Sequence, residues 1–193
     1  NGRKPSPLAK NGRLFVQGLH RIAALDSFNG SILWSLEIPD FERFNMPRDC
    51  GNWCVDDRYV FAAIKNQCWQ IDAQTGKVVR FHQLPAEKKD RKKQDWGYIA
   101  RLGNTLLGSS VRRGSIYTNF WGKANAGWYD SIAGPVTYKI CSDELFALNA
   151  KSGGHRWSYS QGVILNSTIT ATKNRVMFLE CRNLTIIASQ QRR

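Results

Sequence analysis

No stretch of this chain approaches the roughly 18 uninterrupted apolar residues that a membrane-crossing helix requires, so no transmembrane span is expected. No segment of useful length repeats its apolar residues at helical spacing, which argues against a bundle. Histidine is scarce, and His20, His82 and His155 fall in unlike places with neither HxH nor HExxH spacing, so no histidine-built metal centre is expected. The 5 cysteines form no CxxC pair, and an odd number cannot all pair within one chain. A GxSxG elbow is missing too, and Gly108-Ser109-Ser110 reads as the polar end of a strand. Acidic residues number only 15, with no cluster of the kind that wraps a calcium ion.

The chain is rich in apolar and aromatic residues, 42% and 11% of its 193 positions, which excludes a disordered polymer and is enough to fill a sizeable core. A net charge of +13 points to an anionic partner or to a basic solvated exterior. The densest basic stretch, Lys88, Lys89, Arg91, Lys92 and Lys93, is broken by Asp90, flanked by Glu87 and Asp95, and follows Leu84-Pro85, where a strand ends. It reads as a solvated connector or as the contact for an anionic partner. No recognition motif for DNA or RNA accompanies it, so no specific nucleic-acid partner is expected. Cys50 and Cys54 bracket Gly51-Asn52-Trp53, leaving open a disulfide across a turn or two small buried thiols.

The informative feature is a repeat. Residues 13–39 align without a gap, at a shift of 46 positions, with the stretch that ends at Pro85, so that Leu25-Asp26 matches Ile71-Asp72 and Gly30 matches Gly76. A third copy is split: residues 102–111 supply its opening strand, residues 145–159 its turn, and an aromatic, glycine-rich insert over 112–139 separates them. In it Asn149 precedes Gly153 by four and Trp157 by eight, as Asp26 precedes Gly30 and Trp34. Arg80 holds the tryptophan position of the second copy. A fourth copy opens over 174–187 and stops before its turn. Blade-like units are therefore expected over about 12–39, 57–85, 102–159 and, truncated, 174–187, all within one domain of residues 1–193.

Each copy alternates short apolar runs with turns, among them Ile22 to Leu25, Tyr59 to Ile64 and Cys68 to Ile71. A four-stranded antiparallel sheet repeated every 45 residues or so cannot bury both faces alone, and neighbours must stack on it. An all-β fold of β-propeller blades is predicted, about three blades plus the start of a fourth. In each turn the oxygen of Asp26, Asp72 or Asn149 is placed to accept amide hydrogen bonds from the next residues. Gly30, Gly76 and Gly153 sit where positive φ is needed. Trp34 and Trp157 are expected to pack between one sheet and the next.

The pattern seen as AALDSFNGSILW, WQIDAQTGKVVR and FALNAKSGGHRW resembles the PQQ-like, or tryptophan-docking, repeat of the quinoprotein β-propellers, and covers most of residues 12–187. That resemblance implies one of two kinds of protein. One is a dehydrogenase using pyrroloquinoline quinone (PQQ) and calcium, with an aspartate base and often two adjacent cysteines. The other is a cofactor-free scaffold, such as the lipoprotein of outer-membrane protein assembly. It also implies a periplasmic or cell-envelope setting. No Cys-Cys pair and no base or calcium ligands are assignable here, so no cofactor is expected. The chain reads as part of a longer bacterial propeller protein, partnered by another protein or by the remaining blades. Candidate rim residues are Arg48, Asp49 and Trp53 in the first connector, and Tyr117, Trp121, Trp128 and Tyr129 in the insert, where aromatics suit a flat ligand or sugar or pack over the blade. Three Asn-x-Ser/Thr triplets, at Asn29, Asn166 and Asn183, are glycan acceptors only in a glycosylating pathway.

Overall fold

The computed structural model describes residues 6–39, 51–85, 94–112, 141–185 and 187. Three four-stranded antiparallel sheets follow the repeat. The first contains β1 (Leu8–Lys10), β2 (Arg13–Gly18), β3 (Arg21–Asp26) and β4 (Ile32–Glu37). The second contains β5 (Trp53–Val55), β6 (Tyr59–Ile64), β7 (Gln67–Asp72) and β8 (Val78–Gln83). In the third, β9 (Gln94–Leu102) and β10 (Thr105–Arg112) are joined by β12 (Glu144–Asn149) and β13 (His155–Tyr159). Between them in the chain, β11 (Cys141–Ser142) pairs instead with β14 (Val163–Leu165), whose other edge holds β17 (Glu180–Cys181). β15 (Thr170–Ala171) and β16 (Val176–Met177) pair antiparallel and lengthen the hairpin that β14 and β17 begin. This hairpin stands as the inner half of a fourth blade.

The propeller reading of the repeat is thus what the chain adopts: among the described residues the regular structure is almost entirely strand, in sheets that stack face to face. β1 packs on β5 and β5 on β9, so the first strands of the three blades lie innermost. Period-two alternation explains the burial of β6, where five consecutive residues are buried. Val60, Ala62 and Ile64 join Phe15, Ile22, Ala24, Trp34 and Trp53 in the core between the first and second blades. Phe61 and Ala63 point the other way, to Trp96, Ile99, Leu106 and Phe146 of the third. A strand buried on both faces loses its polar alternation and reads as a continuous apolar run. The third blade repeats the device, with Leu106 and Phe146 facing back and Leu107 and Leu145 facing forward to Ile164 and Ile169.

Polar joints tie the stack near its centre. Gln17 and Asn52 exchange amide hydrogen bonds at 3.4 and 3.5 Å between the first and second blades. Ser109 Oγ accepts from the Tyr98 amide at 2.7 Å and lies 2.7 Å from Ser142 Oγ, while donating to Asn166 Oδ1 at 3.4 Å. Ser109, Ser142 and Asn166 are all buried, so each bond replaces hydration that folding removed. Gly97 leaves room for this cluster: a Cβ there would stand 2.5 Å from Ser109 Oγ.

Candidate functional site

The corner between the third and fourth strands has the same construction in all three blades. Asp26 Oδ1 accepts the amides of Phe28 and Asn29 at 2.8 and 3.2 Å. Asp72 Oδ1 accepts those of Gln74 and Thr75 at 3.0 and 2.9 Å, and Asn149 Oδ1 those of Lys151 and Ser152 at 2.9 and 3.0 Å. The glycine four residues on donates its amide to the carbonyl of the Asp or Asn, with φ of +75° at Gly30, +73° at Gly76 and +78° at Gly153. A bulge falls at the same place each time, after Ala24, Gln70 and Ala147. At Asp72 burial raises the carboxyl pKa, but the Thr75 amide and hydroxyl and the Gln74 amide outweigh it and hold the group below its ordinary value.

Behind the bulge, Trp34 pairs with Ala24, Arg80 with Gln70 and Trp157 with Ala147. Directly opposed side chains share a face, and in each sheet this is the face turned to the following blade. Trp34 is 9% exposed, and its Nε1 donates to the Ala73 carbonyl at 3.0 Å. Its ring lies 2.8 Å from where a Cβ on Gly76 would stand. Arg80, the departure from the sequence pattern, does the equivalent work with different chemistry: its Nη1 donates to the Ser152 carbonyl at 3.1 Å, on the next corner. Trp157 is 39% exposed. The expected docking therefore holds at Trp34, is taken over by Arg80 in the second blade, and at Trp157 meets no corner among the described residues.

An open cleft of about 700 Å³ lies between the second and third blades, lined in part by Asp56, Arg58, Tyr59, Arg80, Arg101 and Lys151. Arg101 Nε donates to Asp56 Oδ2 at 3.0 Å, with its guanidinium 5.8 Å from the centre of the Phe61 ring. Lys10 pairs with Asp57 at 2.9 Å, so both carboxylates of the cleft are met by cations while Arg58 and Lys151 add positive charge. Beside it His82 is buried, its Nε2 2.9 Å from Gln70 Oε1. Burial, and after it the charges of Arg80 and Arg101, push the His82 imidazole down to about 4. The sequence gives one signal toward this cleft, the arginine that replaces a docking tryptophan.

Among the candidate rim residues, Trp53 lies in the innermost strand of its blade, buried in the core, with Nε1 donating to the Ser6 carbonyl at 3.2 Å. It is a packing residue and not part of an exposed rim. Arg48, Asp49, Tyr117, Trp121, Trp128 and Tyr129 lie outside the described residues, as do the basic stretch of 88–93 and Cys50. Cys54 is a free thiol. Ser109 and Ser110 are buried inter-strand donors, and Ser110 Oγ donates to Glu144 Oε2 at 3.1 Å. Of the three glycan-acceptor triplets, Asn166 is buried, which removes it from use in the folded chain.

No protein-family model matches the chain, and no curated protein does. Solved structures do. Quinohemoprotein alcohol dehydrogenase ADHIIG from Pseudomonas putida HK5 superposes with a TM-score of 0.52 at 16% identity, over 82% of this chain and 20% of its own. A europium-containing methanol dehydrogenase superposes with a TM-score of 0.53 at 15% identity, over 90% of this chain and 36% of its own. The likeness is one of fold: this chain has the blade architecture of the quinoprotein propellers and spans well under half the length of either enzyme.

Proposed function

We propose that this chain is a non-catalytic β-propeller segment that acts as a binding scaffold, engaging a partner protein or further blades of a propeller. What carries this reading is the use to which the repeated acids are put. Asp26 and Asp72, like Asn149, spend their side-chain oxygens on amides of their own turns, at separate blade corners, and do not converge on one reacting centre.

The alternative, a relative of the PQQ-dependent dehydrogenases, draws on the fold likeness to the two enzymes. Calcium wants several oxygen ligands that converge. Among the described residues no three of His, Cys, Asp and Glu come together as a cation cradle. The experiment that separates the two readings adds PQQ with calcium to the full chain and follows the quinone absorbance and the melting temperature. A scaffold gives no calcium-dependent shift. A tight, calcium-dependent shift overturns the proposal in favour of the oxidoreductase.

A further inference from the structure

The cleft between the second and third blades holds more positive charge than its own carboxylates can meet. Its lining residues come from two adjacent four-stranded sheets, in the middle of the stack and not at either end. Four cations, Arg58, Arg80, Arg101 and Lys151, share it with two carboxylates. Both carboxylates are already engaged. Asp56 accepts the Arg58 and Tyr59 amides on Oδ1, at 2.9 and 2.7 Å, and Arg101 Nε on Oδ2 at 3.0 Å. Asp57 is paired at 2.9 Å with Lys10, from outside the lining. With Lys10 counted, five cations meet two carboxylates and three positive charges are left over. Arg58, Arg80 and Lys151 make no ion pair among the described residues. Asp72, whose carboxyl Arg58 helps to lower, lies outside the lining and has Oδ1 on the amides of its own turn.

Two of the guanidiniums are anchored by the blades themselves. Arg80 Nη1 donates to the Ser152 carbonyl, and Arg101 donates to Asp56 and to the Gly103 carbonyl. A guanidinium carries five N–H donors, so an anchor on one edge leaves donors for a second acceptor. Arg58 is placed by its own neighbour, with Cζ 5.2 Å from the centre of the Tyr59 ring. Lys151 stands on the corner turn of the third blade, next to the residue that Arg80 grips. Rigid forks flanked by an ammonium suit an oxyanion with several acceptor oxygens. Beside the cations the lining turns apolar, with Tyr59, Ala150 and a half-exposed Val79. The volume of about 700 Å³ is far more than a bare ion fills and falls in the range of small-molecule sites.

We propose that this cleft binds a small organic phosphate monoester, its head set among Arg58, Arg80 and Lys151 and its apolar body against Tyr59 and Val79. A phosphate monoester brings about 1.5 to 2 negative charges at neutral pH and three strong acceptor oxygens, which answers the left-over charge better than the single charge of a carboxylate. The head touches residues of two blades, so a bound ester clasps them together. This site goes beyond the scaffold reading and does not rest on it.

The test titrates the full chain, labelled with nitrogen-15, with phenyl phosphate at low salt and about pH 7.5, above the second phosphate pKa of about 6. The backbone amides of Arg58, Tyr59, Lys151 and Ser152 are expected to shift and saturate, and the melting temperature to rise. Arg58→Gln and Lys151→Gln change exposed side chains, and each is expected to weaken binding at least about fivefold by removing a charge-assisted hydrogen bond. Lys173→Gln, which removes an exposed cation between β15 and β16, should leave the affinity unchanged. Benzenesulfonate, the same ring with one charge, is expected to bind about tenfold more weakly. The proposal is overturned if no shift saturates, or if Lys173→Gln weakens binding as much as Lys151→Gln, which would mark a diffuse attraction to a basic chain. Inorganic phosphate binding as tightly as phenyl phosphate overturns it too, because the ester body would then contribute nothing. None of these outcomes involves calcium or a quinone, so the scaffold reading can survive the loss of this site.

Discussion

The indole of Trp34 fills the space that a side chain on Gly76 would need, with ring atoms 2.8 Å from the position of the missing Cβ. Gly76 is therefore constrained twice, by its φ of +73° and by the ring of the preceding blade. Gly30 shares the conformation, at +75°, with nothing within 4 Å of its own missing Cβ. Gly30→Ala should cost only the backbone term, about 1–2 kcal/mol. Gly76→Ala should cost that and roughly 1–3 kcal/mol more, because the indole must leave a packed position. Urea unfolding of the two variants measures the difference, and equal losses would show that Trp34 does not lean on Gly76.

The tryptophans make a second pair. Trp34→Ala removes a buried ring and a hydrogen bond across a blade junction, and a loss of about 3–5 kcal/mol is expected. Trp157→Ala removes a ring already partly in water, with a loss of about 1–2 kcal/mol. Equilibrium unfolding checks both. In intrinsic fluorescence, Trp157→Phe should remove red-shifted emission and Trp34→Phe should not.

How far the fold was legible in the chain depends on which strand is considered. The corners could be read in full, because an Asx oxygen, a glycine and a β-branched or aromatic run are local devices whose spacing survives in three copies. The innermost strands could not. β1 and β5 are three residues each, too short for a period to show, and β9 follows a basic stretch that reads as a connector. Trp53 looked like a ligand residue because it sits among Arg48, Asp49 and Asn52. Its burial is decided by β6, which lies beyond the turn and pairs it with Ala62. Arg80 was visible as a departure from the pattern. That it reaches the Ser152 carbonyl depends on a contact across 72 residues, which no local pattern encodes.

Thiol chemistry offers a third prediction. Burial, followed by the nearby Asp56 carboxylate, pushes the Cys54 thiol up to about 12, against a smaller opposing effect of Arg101. Burial, then Asp143 and Cys181, does the same for Cys141. The thiolate is the reactive species, and at pH 8 these two groups hold almost none of it. In the native protein both should resist iodoacetamide at pH 8 and react at once when urea is added, as read by mass spectrometry of the digested chain. Rapid native alkylation at Cys54 would contradict the raised pKa of that half-buried thiol.

The pH dependence of stability turns on His82. Its imidazole is held at about 4 in the folded chain, against an ordinary value of 6.5. Between those values the unfolded chain binds the proton and the folded chain does not, so stability rises with pH across the window. Read downward, the contribution of neutral His82 is whole above about pH 6.5 and is lost progressively as pH falls toward about 4. Protonation would place a cation under Arg80 and Arg101 in a site with little water. Urea midpoints taken from pH 7 to pH 5, above the range where most carboxylates titrate, should fall steadily in the native sequence. In His82→Gln, which keeps a polar group near Gln70, the slope should flatten even though the midpoint at pH 7 is lower. An NMR titration of the His82 ring supplies the direct check, and a midpoint near 6.5 would remove both the buried neutral imidazole and the acid sensitivity assigned to it.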